Sequence, residues 1–508
     1  MKTFQEIGNR LQSVRRFFIH TRTDAPPSKI ITHAFNLPER PAPISKGIPD
    51  MPVLNAVAKA GKGLINFEDT AFFSVQHILR TNIPLFKHLI EDFNVKPNNI
   101  YLSGKGYSDS EEAENLFKKK LGIKYFKLEK TYEAAGQYQQ HLRMHLKQVW
   151  HHFIENLKKS NIKRIIIIDE GGHSLETIPS FLCFQYPMAG IEQTRGGLYS
   201  PAISSLPFPL IEVASSAIKR HLESPLIVEA IIKKLQNALG TRKDIHLNTV
   251  FGVIGNGAIG SSVTRYLLER GHTVIAFDEN KDAFHGLIHK NLYRVQNVNA
   301  IIARADYVLG CTGKDTLEDI QRNLLEATIG NKKLISCTSE DKEFYSLRKA
   351  MDTQRSIELD NRGDIVYHTK LGGKITLVNG GFPVNFDQSG ESVPAVDIQL
   401  TRALMLGACI QAGLEASKPE GGSEIELSQR IQLDSTLQHF VAQEFRKYQP
   451  NHKYSAEQWQ LTQNLNWIKN NSGGKERGGV ELAHAFSSPL PQDSEREDNR
   501  EATKYRGS

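Results

Sequence analysis

The chain has 508 residues, enough for two or three domains, and its 39% hydrophobic and 23% charged content is that of an ordinary globular protein. Its net charge is only +7, and the lysine runs at 118–120 and 158–159 stand beside acidic residues as solvated helix faces do, which excludes nucleic acid as the partner. Cys183, Cys311, Cys337 and Cys409 form no CxxC pair, which excludes a disulfide framework and a cysteine-based zinc site and fits a reducing compartment. No apolar run approaches the ~20 residues of a membrane span. The N-terminus lacks a secretory signal, and Glu6 weakens the transit-like pattern of Arg10, Arg15 and Arg16 beside Phe17 and Phe18, so the expected location is the cytoplasm.

Residues 1–60 are Pro-rich (Pro26, Pro27, Pro38, Pro41, Pro43, Pro49, Pro52) and read as an irregular leader. Helical patterns are expected at 72–79 and 85–93, a strand at 99–103, a helix at 110–120, a strand at 125–128 and a long helix at 132–159. The nearly uninterrupted isoleucine run at 164–169 reads as a strand buried on both faces, as in a parallel α/β sheet. Together, residues 61–217 read as one α/β domain, completed by 390–420. A second βαβ series at 218–389 forms another domain, a helical extension covers 421–470, and residues 471–508 are expected to be disordered.

The second series opens on a motif with mechanical content. Thr249-Val-Phe-Gly-Val-Ile-Gly255-Asn-Gly257-Ala-Ile-Gly260 is an apolar strand running into GxGxxG. Gly255 permits the tight turn, Gly257 lets the backbone approach a pyrophosphate, and Gly260 lets the helix pack on the strand. The following helix points its N-terminal N–H groups and dipole at that pyrophosphate. Gly271 stops the helix, and a second strand ends at Asp278, 18 residues beyond Gly260. An acid there binds the adenine ribose hydroxyls and repels a 2′-phosphate, so the expected cofactor is NAD. The fold class read from these patterns is α/β, a Rossmann-type NAD domain inserted into a second α/β domain.

In this company the sequence resembles the S-adenosylhomocysteine hydrolase (adenosylhomocysteinase) family. The matching stretches are Ile168-Asp-Glu-Gly-Gly172, Gly190-Ile-Glu-Gln-Thr194, Val213-Ala-Ser-Ser-Ala-Ile-Lys219, the GxGxxG itself, Ala305-Asp-Tyr-Val-Leu-Gly-Cys-Thr-Gly313 and Leu377-Val-Asn-Gly-Gly-Phe-Pro-Val-Asn385. The resemblance is clearest over residues 160–415. It implies a bound NAD used as a recycling oxidant of a ribose hydroxyl. It further implies cofactor contacts at Thr194, Gly255, Gly257, Ala258, Ile259, Gly260, Asp278, Thr312, Gly313 and Asn385.

The reaction half departs from the family. Lys219 falls on the lysine that assists hydroxyl oxidation, but Glu223 and Glu170 replace aspartates, and a longer arm moves a carboxylate by about a methylene. Gln193 replaces a glutamate and cannot act as a base. A catalytic histidine expected near residue 65 is missing, with Ile65 or Asn66 in its place, and Ser339 and Glu391 stand where the family has histidines. Glu457 and Leu461 replace the C-terminal Lys and Tyr that reach a neighbouring protomer, in a family that typically forms a homotetramer.

Blander features weigh little. His141 and His145 read as solvated helical histidines, so no metal site is expected; Ser103-Gly-Lys-Gly106 reads as a simple turn, and Cys311 and Cys337 as small buried residues. The expected function is NAD-dependent redox chemistry on a nucleoside-like or related small polar alcohol, with Lys219, Glu170 and Glu223 as its catalytic groups. The alternative is a catalytically inactive NAD(H)-binding regulatory protein of the same fold. A D-2-hydroxyacid dehydrogenase would share the architecture, but its Arg, Glu and His set is not evident after the Rossmann motif.

Overall fold

The computed structural model describes residues 47–128, 138–238, 249–352, 357–359, 363–386, 391–418, 429–449, 454–477 and 480–487. Its strands are β1 (Thr70–Val75), β2 (Ile100–Ser103), β3 (Lys124–Phe126), β4 (Arg164–Asp169), β5 (Met188–Glu192), β6 (Leu210–Glu212), β7 (Val250–Ile254), β8 (Thr273–Phe277), β9 (Leu292–Arg294), β10 (Tyr307–Gly310), β11 (Asn331–Ser336), β12 (Ile357–Leu359), β13 (Ile365–His368), β14 (Lys374–Leu377) and β15 (Arg430–Gln432). Four helices bear on the argument: α1 (Pro52–Gly61), α2 (Tyr138–Leu157), α3 (Ala258–Glu269) and α4 (Ala395–Ala416).

Two sheets divide these strands. The first, in order β15-β6-β5-β4-β1-β2-β3, is parallel throughout. The second runs β12-β13-β14-β11-β10-β7-β8-β9, with β12 and β13 antiparallel at one edge. Its six parallel strands follow the doubly wound order, and the whole sheet lies between two stretches that build the first. The Rossmann-type domain is thus an insertion: after it, α4 packs on β4 and β5, and β15 adds a last strand beside β6.

Opposite faces of the first sheet bury alternate residues, as a two-residue side-chain period requires. Phe72, Ile166, Ile168, Ala189 and Ile191 join the core under α4, while Ala71, Phe73, Val75, Ile165 and Ile167 join the core under α2. There Phe73 stacks on Trp150 at 3.6 Å between ring centroids. A central parallel strand therefore shows no polar alternation, and this explains one correction. Residues 72–79 do not form the expected helix; Thr70–Val75 is a strand, buried on both sides, and a short apolar run cannot be told from a helix by periodicity.

Two further expectations change. The leader is not irregular throughout, because Pro52 starts α1, where a fixed φ and a missing N–H cost nothing. Residues 1–46 lie outside the described residues. The C-terminal segment is also ordered further than its composition suggests. Lys475 N donates to Arg430 O and Gln432 N to Lys475 O, Gly473 N donates to Ser215 O, and Val480–Ser487 is a helix. Backbone pairing, which composition does not report, holds it. The expected disorder of 488–508 falls outside the described residues. Among those residues, no helix is long and apolar enough to cross a membrane.

Candidate functional site

In each sheet the chain reverses direction beside one central strand, and ligands of open α/β sheets bind at the carboxyl ends of strands there. In the second sheet this point lies between β7 and β10. The turn Gly255–Asn256–Gly257 leads into α3, whose N-terminus carries no side-chain cap, and a Cβ on Gly257 would meet nothing within 4 Å. A Cβ on Gly260, in contrast, would run into the Gly255 carbonyl oxygen. The first turn of α3, with Ala258 and Ile259, therefore offers free N–H groups to open space, which suits a pyrophosphate.

Asp278 stands at the mouth of this turn. Its Oδ2 accepts from Asn256 N at 2.5 Å and its Oδ1 from Asn280 N at 2.8 Å, and each oxygen keeps a further acceptor position. The loop after β10 is held by Glu343. That carboxyl accepts from Gly313 N at 2.8 Å, from Thr312 N at 3.1 Å and from Thr312 Oγ1 at 2.9 Å. Burial pushes Glu343 up to about 7 against these hydrogen bonds. The structure brings Gly255, Gly257, Ala258, Ile259, Gly260, Asp278, Thr312 and Gly313 to this carboxyl edge, and Asn385 is buried in the loop after β14. Thr194 belongs to the other sheet: its N and Oγ1 both donate to Glu192 Oε1 at 2.7 Å. Burial, reinforced by Asp169, pushes Glu192 up to about 8.

In the first sheet the reversal lies between β1 and β4, and side chains fill it. His77 Nε2 is 2.8 Å from Glu170 Oε1, and His77 Nδ1 is 2.5 Å from Ser108 Oγ. The carboxylate can only accept, so Nε2 carries the proton and Nδ1 accepts from the serine hydroxyl. Burial lowers the His77 pKa, favouring the neutral ring, although Glu170 opposes it. For Glu170 burial acts upward, but His77, Lys105 and Arg402 outweigh it and bring the carboxyl to about 2. Glu170 Oε2 is buried and has no hydrogen-bond partner among the described residues.

Lys105 and Glu340 close the crevice from two sides. Lys105 is fully buried at the end of β2, with its Nζ 3.4 Å from Oε1 of Glu340, which follows β11 of the second sheet. Glu340 also binds His173 Nε2 and Gln139 Nε2, and Lys342 Nζ lies 3.1 Å from it. Burial would raise Glu340, but His173 and Lys105 hold it well below the usual carboxylate range. Gly171, at φ +109°, passes so close that a Cβ would lie 2.7 Å from His173 Nε2 and 2.9 Å from Glu340 Oε1, so only glycine fits. Phe386 of the second sheet's last loop stacks on His77, with ring centroids 4.0 Å apart. The carboxyl ends of the two sheets therefore face one another.

Lys219 and Glu223 lie on a π-helical turn, a distortion often found at functional sites. Lys219 Nζ is 2.5 Å from Glu223 Oε2, and Glu223 also accepts from Thr401 Oγ1 on α4. The C-terminal segment braces this turn: Tyr454 OH donates to Leu222 O at 2.7 Å, and Ala217 N donates to Ser472 Oγ at 2.9 Å. Thr401's neighbour Arg402 is buried among Glu170, Glu223 and His77, and its Nε and Nη1 have no hydrogen-bond partner among the described residues.

Of the three expected catalytic residues, Glu170 stands in the crevice between β1 and β4, while Lys219 and Glu223 pair with each other on a turn linked to it through Arg402; His77, Lys105, His173, Glu340 and Arg402 were not expected. A histidine does stand beside Glu170, at position 77. Reading 72–79 as a helix hid it, whereas a polar residue just past an apolar strand would have marked it. Ser103-Gly-Lys-Gly106 is likewise more than a simple turn.

A family model bears on the second sheet. Residues 250–358 match the model of a family described as the NAD binding domain of 6-phosphogluconate dehydrogenase. With the glycine turn and strand order, this makes the inserted domain a Rossmann domain for a nicotinamide cofactor. Two uncharacterized proteins from two strains of Mycobacterium tuberculosis are each 26% identical over 365 residues. The match covers 69% of this chain and 66% of theirs, just under two thirds of their length. Among solved structures, one of the dipicolinate synthase polypeptides of Bacillus halodurans is 11% identical, with a TM-score of 0.38, over 70% of this chain and 100% of that one. A 2-hydroxyacid dehydrogenase from Ketogulonicigenium vulgare is 12% identical, with a TM-score of 0.34, over 68% and 96%.

Proposed function

We propose that the protein is an adenosylhomocysteinase-like redox protein that keeps NAD bound and oxidises a secondary alcohol on a nucleoside-like or related small polar ligand. The observation that carries this reading is the facing of the two crevices, bridged by Glu340 on Lys105 and His173. Gly255, Gly257, Ala258 and Gly260 would hold the pyrophosphate, and Asp278 the adenine ribose, where its charge disfavours a 2′-phosphate. Bound NAD supplies a hydride acceptor for the carbon that bears the hydroxyl.

The chain's own groups handle the proton. Lys219 Nζ gives a proton to Glu223 across their 2.5 Å contact and takes the hydroxyl proton in its place, so the proton lost by the alcohol ends on Glu223. Glu170 Oε2 accepts from a second ligand group, while His77 and Ser108 hold that carboxylate in place. Ordinary adenosylhomocysteine hydrolysis is disfavoured by Gln193 and Glu391, which stand where the resemblance expects a base and a histidine.

The test begins by denaturing the purified protein and identifying what is released. NAD near one equivalent is expected, and NADP in its place would overturn the assignment of Asp278. Lys219→Ala is expected to keep the cofactor but lower turnover by roughly 10²–10⁴-fold. An unaltered function in that variant would instead favour a non-catalytic NAD(H)-binding protein. Adenosylhomocysteine hydrolysis at ordinary family rates would refute the altered chemistry.

A further inference from the structure

Three adjacent strands of the first sheet end in a row of polar side chains. Ser74 pairs with Ile168 and Ile168 with Ile191, so two residues further on Gln76, Glu170 and Gln193 stand level. The ladder continues that far, since Gln76 N donates to Ser103 O at 3.1 Å and Gln193 N to Asp169 O at 3.0 Å. The two-residue period puts all three on the face of Phe72, Ile168 and Ile191, the face that α4 covers. Arg402 stands on α4 over that face, within electrostatic reach of Glu170.

The row is buried and unsatisfied. Gln76 Nε2 and Oε1, Glu170 Oε2, Gln193 Oε1 and Arg402 Nε and Nη1 all lack hydrogen-bond partners among the described residues. Gln76 is 0% exposed, Arg402 3%, Glu170 5% and Gln193 7%. Buried polar atoms are rarely left without partners, and several on one face at a strand-end crevice mark the place of a ligand. Their chemistry describes its complement. The three unpaired acceptors, Gln76 Oε1, Glu170 Oε2 and Gln193 Oε1, call for O–H donors, and the guanidinium calls for an anion. The nearby lysines face carboxylates, Lys105 and Lys342 on Glu340 and Lys219 on Glu223, whereas Arg402, although within electrostatic reach of Glu170 and Glu223, hydrogen-bonds neither of them through Nε or Nη1 and keeps those donors for a ligand carboxylate.

We infer that this row binds a small hydroxy-carboxylate, with the carboxylate on Arg402 and hydroxyls on Gln76, Glu170 and Gln193. The inference rests on the redox reading only in making one of those hydroxyls the reacting group; the anion-binding part is independent of it. It narrows the ligand from any small polar alcohol to one that also carries a carboxylate.

The purified protein, with whatever cofactor it retains, is titrated calorimetrically at low ionic strength with lactate, tartrate and gluconate. The matching uncharged alcohols, propane-1,2-diol, threitol and sorbitol, are titrated beside them. At least one carboxylate is expected to bind roughly 10–100-fold more tightly than its alcohol counterpart. Arg402→Leu is expected to abolish that difference and Arg402→Lys to restore part of it. Equal binding of acid and alcohol overturns the inference. So does the absence of saturable binding by every carboxylate, or an unchanged preference in a folded Arg402→Leu protein. Should Arg402→Leu fail to fold, the wild-type comparison decides. A carboxylate that binds selectively but is never oxidised supports this inference and defeats the redox reading; an alcohol oxidised without any preference for the acid does the reverse.

Discussion

The crevice of the second sheet is made of backbone, and that of the first is made of side chains. Around Gly255 and Gly257 what matters is what is absent: no Cβ at the turn, no side-chain cap on α3, and open space ahead. Between β1 and β4 the opposite holds, with His77, Lys105, Glu170, His173, Glu340 and Arg402 crowded into a buried electrostatic network. A backbone cradle tolerates varied neighbours and fails when a side chain intrudes. A charged network tolerates no lost partner, because each ion is stable there only through the others.

That contrast is sharpest at Glu340. Glu340→Ala would leave Lys105 and His173 buried without their carboxylate, and the expected loss of stability is about 3–5 kcal/mol, read from urea unfolding. Glu340→Gln should lose less, since the amide oxygen still accepts. A loss below about 1 kcal/mol for the alanine variant would mean that the crevice network is not interdependent.

Next comes the backbone cradle. Gly260→Ala would drive a Cβ into the Gly255 carbonyl, at an expected cost of about 1–3 kcal/mol, together with loss of bound dinucleotide. Spectrophotometric cofactor content separates the two effects. A stable variant with full cofactor would break the account of the turn.

Glu343 and Glu170 respond to protons in opposite senses. Glu343 has a folded pKa near 7 against an ordinary value of 4.5, so over that interval the folded state binds more protons than the unfolded one. Its contribution to stability is therefore greatest below 4.5 and falls as pH rises to 7. Glu170, lowered to about 2 from 4.5, behaves oppositely: it stabilises above 4.5 and loses that contribution as pH falls toward 2. Glu343→Gln should reduce the decline between pH 4.5 and 7 and leave the acid limb unchanged, as urea unfolding across that range will report.

The smallest expected effect lies at Asp278. Asp278→Ala should raise affinity for the 2′-phosphorylated dinucleotide relative to NAD by about tenfold, with little effect on stability. An unchanged ratio in binding titrations would remove Asp278 from cofactor selection.

The sequence by itself determined the glycine turn and its acid, because both lie between Gly255 and Asp278 and their roles depend on local backbone geometry, whereas Thr312, Gly313 and Glu343 join them only in the fold. For the turn and its acid, spacing along the chain is nearly spacing in the molecule. It also located Lys219 and Glu223, one helical turn apart, and Glu170 beside its glycines. Only the tertiary structure decided the rest. Glu170 meets His77 across 93 residues, Lys105 meets Glu340 across 235, and Arg402 reaches them from a helix that follows the inserted domain. Burial on both faces erased the alternation that would have identified β1 as a strand, and with it the position of His77. Parallel sheets bring distant strand ends to one edge, so the residues of such a crevice share a place in space while having no common neighbourhood in sequence.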